Sequence, residues 1–211
     1  MHTLQPLVHE GYFHIYNRGI NGTDLFITPN DYRHFLKLYV KYIDPIARTF
    51  AWVLMKNHFH FLVQILPDQE IECMESMKDH KNMILLQGKK FNPTRQFSHL
   101  FNAHTKRHNI KYNRTGSLFE RPFRRIKITD EMYIRNLIFY IHNNPVHHGF
   151  TNSIIDYPWS SYPEIISSDL SRTDAYNVLE LFNSLSEFLE FHSAKTVHYN
   201  PEILIREMEE Q

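Results

Sequence analysis

Along residues 11–18 (GYFHIYNR) aromatic and aliphatic side chains alternate with polar ones, the period-two pattern of a strand. Residues 29–43 change period: Phe35, Leu38, Tyr39 and Tyr42 fall on one helical face, with Pro29 near the helix start. Residues 49–55 (TFAWVLM) predict a second strand, too apolar to face water on both sides. Lys56 and Asn57 turn the chain into a third strand that opens with His58 and closes at Pro67. The charged stretch 68–94 predicts a short helix and a loop, and 96–109 a helix through Phe97, Leu100, Phe101 and His104. After a turn at 113–116, residues 117–128 predict a basic extended strand, which Pro122 confines to a sheet edge or a bulge. Thr129, Asp130 and Glu131 cap a helix that the proline rule stops at Pro145. Residues 173–191 predict an acidic amphipathic helix or helix pair.

The order β-α-β-β-α-β defines an α+β fold, a ferredoxin-like antiparallel sheet with helices packed on it. Residues 1–150 are expected to form this domain. Residues 151–211 add an aromatic, turn-rich segment and the acidic helical extension, with Trp159 and Tyr162 as packing anchors.

Charge changes the picture more than composition does. The 211 residues balance to zero, yet residues 78–127 hold thirteen Lys and Arg against two acidic residues. From Ser160 onward three basic residues face ten acidic ones. A basic middle interleaved with Tyr112, Phe119 and Phe123 points to nucleic acid rather than to an ordinary solvated face. Cys73 is the sole cysteine, which excludes an internal disulfide and any Cys-rich zinc module. No apolar run approaches membrane-spanning length and no leader pattern opens the chain, so a soluble, cytoplasmic protein is expected.

The chemistry concentrates at His58-Phe59-His60. Residues two apart on a strand share a face, so both imidazoles stand side by side while Phe59, Phe61, Val63 and Ile65 turn inward. Two imidazoles are half a metal site. On the helix at 132–144, Tyr133, Leu137, Tyr140 and Asn144 share a face, which offers an amide oxygen and a phenol one turn apart. On the spacing alone, a core aromatic and a helix C-terminal asparagine account for the same two residues slightly better. His104 and His108 lie four apart but lack a third ligand, and a DNA-facing polar surface is expected of them. His147 and His148 read as a solvated loop. Nucleophile-elbow, P-loop and dinucleotide motifs are absent from the sequence.

Taken together, HFH at 58–60 after AWVLMKN, RTGSLFERPFRR at 114–125 and YIHNNPV at 140–146 resemble the single-tyrosine HUH transposases, closest to the REP-associated subgroup. FHIYNRG at 13–19 and DYPWSSY at 156–162 extend the resemblance to about three quarters of the chain. It implies that His58 and His60 bind a divalent ion, Mg2+ or Mn2+, and that Tyr140 is the nucleophile. Asn144 matches the polar residue completing the metal site, where better-known relatives carry glutamine; Asn143 is the alternative. It further implies single-strand DNA cleavage and strand transfer through a 5′-phosphotyrosine, at single-stranded or hairpin DNA, by a monomer or a homodimer. Arg121, Arg124, Arg125, Lys127, Lys106 and Arg107 are the candidate phosphate contacts. A hairpin-binding protein that no longer transposes, and a metal-dependent phosphodiesterase without a covalent step, remain open beside this.

Overall fold

The computed structural model describes residues 5–71, 92–167 and 173–198. Cys73 and most of the segment expected to be a short helix and loop lie outside them; residues 68–71 are helical. Four strands, β1 (Tyr12–Arg18), β2 (Ala47–Met55), β3 (His58–Ile65) and β4 (Arg124–Ile128), form one antiparallel sheet in the order β2-β3-β1-β4. That is the ferredoxin-like order anticipated from the sequence. It puts β3 in the middle, hydrogen-bonded to β1 on one side and β2 on the other.

Each face of the sheet carries its own core. On one side lie α1 (Pro29–Tyr42) and α2 (Pro93–Lys111), packed on Phe13, Ile15, Trp52, Leu54, Phe59, Phe61 and Val63. On the other lies α3 (Glu131–His147), whose Tyr133, Leu137, Ile138 and Tyr140 cover Ala51, Val53, Met55 and Leu62. Local chemistry sets the helix starts. Thr28 and Asp31 form a capping box before Pro29, the Asn92 side chain accepts from the Arg95 amide, and Asp130 accepts from the Tyr133 amide at 2.8 Å. Burial pushes the Asp31 carboxyl up, but hydrogen bonds from Lys111, Tyr112 and Thr28 outweigh it and hold the group well below the usual range.

Two boundaries differ from expectation. Helix α3 does not stop at Pro145 but runs to His147, and the chain turns only at Gly149, where φ is +71°. Proline in the last turn removes only the ladder bond its own amide would have donated, and its carbonyl accepts from the Phe150 amide at 2.8 Å as the chain leaves the helix. The basic stretch 117–128 is strand only over Arg124–Ile128, at the edge of the sheet as the proline argument required. The other edge, β2, is covered by residues 157–161. The Leu54 amide donates to the Trp159 carbonyl (2.9 Å), the Ser161 amide to the Trp52 carbonyl (2.9 Å), and the Tyr157 hydroxyl to the Leu54 carbonyl (2.8 Å). The acidic C-terminal stretch is a helix pair, α5 (Ala175–Leu181) and α6 (Leu185–His198), following the short α4 (Tyr162–Ile166).

Candidate active site

Register decides which side chains meet. Tyr16 of β1 lies opposite His60 of β3, and Arg18 opposite His58; across β1, Tyr16 also pairs with Arg124 of β4. These side chains therefore share the face beneath α3 and line one cleft of about 820 Å³ with His14, Tyr140, His148 and Phe150. Tyr140 descends from α3 with its ring perpendicular to that of His60, centroids 5.4 Å apart, and at 81° to His14, 6.2 Å away. The His58 and His60 rings stand 5.5 Å apart at 85°.

The nitrogens are sorted by their partners. The His58 Nδ1 donates to the Asn57 Oδ1 at 2.7 Å, since an amide oxygen can only accept. The His60 Nδ1 sits 2.9 Å from the His14 Nε2. Each ring thus has Nε2 left for the cleft. Burial pushes His58 down to about 4, with His148 lowering it further and Asn144 acting the other way. Burial also holds His60 well below its ordinary value and takes His14 to about 3. All three rings are neutral at pH 7 and keep lone pairs, the form a cation needs.

Asn144 is fully buried, and neither its Oδ1 nor its Nδ2 makes a hydrogen bond of good geometry. Its amide is nonetheless close enough to both His58 and Tyr140 to favour the charged form of each. Unsatisfied buried amides are uncommon, and one set beside the His58 imidazole and the Tyr140 phenol suits a ligand role. Among the described residues no three His, Cys, Asp or Glu side chains gather as a metal-holding group. The donor set is therefore two imidazoles and an amide oxygen, which fits a divalent ion that takes its remaining ligands from water or substrate phosphate. Burial raises the Tyr140 phenol above its ordinary value, with Asn144 pulling against it.

The basic candidates do not gather on one surface. Arg124 is exposed and lines the cleft, and Arg121 is exposed just before β4. Arg125 and Lys127 alternate to the opposite face, where Arg125 donates to the Thr94 hydroxyl (2.9 Å) and lies over the Phe123 ring. Lys106 and Arg107 are on α2, across the sheet from Tyr140, beside a shallow groove with Ile110. His104 and His108 are buried against the first core rather than presented to a ligand: the His104 Nε2 donates to the Leu25 carbonyl at 3.0 Å. Several cleft residues had no sequence assignment. His14 and Tyr16 share the strand parity of the pair on β3, a signal usable once β1 is placed beside β3. His148 is not a free loop residue: it ends α3 with its ring 4.9 Å from His58.

An α+β sheet that presents a His-x-His pair on a central strand to a tyrosine on the covering helix is the class defined by this fold and site. The same fold occurs in the solved structure of a REP-associated tyrosine transposase bound to a REP hairpin, with TM-score 0.54 and 18% identity over 81% of this chain and 87% of that one. In sequence the chain is 28% identical over 130 residues to a protein of Haemophilus influenzae named "Putative REP-associated tyrosine transposase". The match covers 60% of this chain and 65% of that relative's length. No family model matches the chain. The resemblance to the REP-associated subgroup drawn from the motifs is thus met by a relative of that name and by a shared fold. No helix among the described residues is long and apolar enough to cross a membrane.

Proposed function

We propose that this protein is a metal-dependent, single-strand DNA endonuclease and strand transferase acting beside DNA hairpins. The observation that carries the proposal is that His58, His60 and Tyr140 line one cleft, with the buried Asn144 amide beside His58 and Tyr140. The relative's name and the hairpin bound by the structural neighbour support the choice of substrate.

His58 and His60, through Nε2, and the Asn144 amide oxygen are the groups that would hold Mg2+ or Mn2+. When bound, the ion supplies positive charge to a phosphate oxygen and to the leaving 3′ oxygen. The rest belongs to the chain. Tyr140 Oη attacks the scissile phosphorus in line; the phenol gives up its proton, the O–P bond forms and the P–O3′ bond breaks. The products are a 5′-phosphotyrosine and a 3′-hydroxyl. Attack by a second strand's 3′-hydroxyl reverses the step, so no nucleotide cofactor is consumed. Burial raises the Tyr140 phenol above its ordinary value, so it enters the reaction as the neutral phenol.

The deciding experiment incubates the protein with Mn2+ and DNA hairpins carrying labelled single-stranded flanks, then resolves the products under denaturing conditions. The wild type is expected to give a covalent protein–DNA adduct and a free 3′-hydroxyl fragment. Tyr140→Phe should give neither while retaining hairpin binding. Cleavage surviving in Tyr140→Phe would favour a phosphodiesterase without a covalent step. Binding without any cleavage by the wild type would favour a hairpin-binding module.

A further inference from the structure

We infer that His14 is a positioning residue of this site, fixing the tautomer and orientation of His60 so that Nε2 is presented to the cation. The inference rests on the proposed function, but it concerns a residue on a different strand that touches neither metal nor DNA in that scheme.

His58 and His60 are held alike. His58 is steered by its neighbour Asn57, whose amide oxygen accepts the Nδ1 proton. His60 has the His14 Nε2 in that position, 2.9 Å from its Nδ1, across the β1–β3 pairing. For His60 Nε2 to offer a lone pair, its ring proton must sit on Nδ1, and His14 is the acceptor within reach. A neutral His14 then carries its own proton on Nδ1. That nitrogen is buried and makes no other hydrogen bond, so nothing else competes to rotate the ring. Tyr16 completes the clamp. Its ring stacks on His14 (4.7 Å, 26°) and on His60 (5.7 Å, 17°), and the two imidazoles lie within 19° of parallel. Metal-bound histidines almost always donate their second ring N–H to a fixed acceptor, and losing that acceptor commonly weakens metal affinity about 10–100-fold.

The test measures Mn2+ binding to the full-length protein by calorimetry, without DNA, so that it does not depend on catalysis. His14→Gln places an amide oxygen where the imidazole nitrogen was, repeating the Asn57 arrangement. His14→Met has similar length and no comparable acceptor. The Met variant is expected to bind Mn2+ about 10-fold or more weakly than wild type, and the Gln variant to recover most of the loss. The manganese resonance spectrum of the Met variant should change with it. His14→Phe, which keeps an aromatic ring beside Tyr16, should behave like Met. Equal affinity of the Gln and Met variants, or wild-type affinity in Phe, would overturn the inference. Failure of the wild type to bind Mn2+, with His60→Ala indifferent, would instead remove the proposed function beneath it.

Discussion

Arg124 and Arg125 are adjacent, and strand alternation sends their side chains to opposite faces of the sheet. Arg124 meets the cleft, whereas Arg125 is tied to Thr94 and Phe123. Arg124→Ala is expected to weaken binding of a single-stranded oligonucleotide and to flatten the log-affinity against log-salt slope by about 0.7, the contribution of one phosphate contact. Arg125→Ala should leave that slope unchanged and lower stability by about 1 kcal/mol through a lost hydrogen bond and cation–π contact. A common effect of both variants on the salt slope would contradict the division. At this scale the shared face of His58 and His60, and that of Tyr140 and Asn144, was legible, because parity on a strand and spacing on a helix are local properties; the roles of Tyr140 and Asn144 came only from the motif resemblance. His14 and Tyr16 were not, because their membership of the site depends on which strands are neighbours.

Among the elements, α3 is held by more than its apolar face. Its His142 is fully buried, with Nε2 2.8 Å from the Ser161 hydroxyl and Nδ1 3.0 Å from the His192 Nε2 on α6. The direction of every bond follows from one end. His192 Nδ1 must donate to the Phe188 carbonyl (2.8 Å), so its Nε2 accepts from His142, whose Nε2 accepts from Ser161. Ser161 Oγ in turn accepts from the Trp52 amide at 2.9 Å. The chain runs from strand β2 through the tyrosine helix to the C-terminal helix pair. Ser161→Ala leaves the Trp52 amide and the His142 Nε2 unsatisfied, and is expected to cost about 1–3 kcal/mol in urea unfolding. An unchanged urea midpoint would show that water replaces the hydroxyl. Helix positions and the C-terminal pair were legible from periodicity. The continuation of α3 past Pro145 was not, because the capture of the Pro145 carbonyl by Phe150 depends on where the chain turns afterwards.

Among the described residues several histidines are buried and neutral. Burial takes His104 and His192 to about 4 and His14 to about 3, and holds His142 well below its ordinary value. An unfolded histidine takes up its proton near pH 6.5. The unfolded chain therefore binds more protons below that pH, and stability, complete above about pH 6.5, falls as the pH drops toward about 4. His104 and His192 each contribute up to about 3 kcal/mol to that loss, and His14 and His142 add to it in the same direction. Urea midpoints followed by circular dichroism should fall steeply between about pH 6.5 and 4.5; a flat profile would contradict the burial of these rings. The ferredoxin-like plan was legible from element order alone. The charge segregation was legible as composition but not as a surface, since the sheet divides the basic residues between its two sides.

The central place of β3 has a mechanical consequence. His58 and His60 lie on the strand paired along both edges, so their backbone cannot shift without breaking ladders to β1 and β2 together. Tyr140 is carried by a helix that meets the sheet through side chains, and beyond Asn144 the ladder of that helix is interrupted at Pro145. The imidazole pair is thus fixed by backbone ladders, whereas the place of the phenol is fixed by how side chains seat its helix on the sheet.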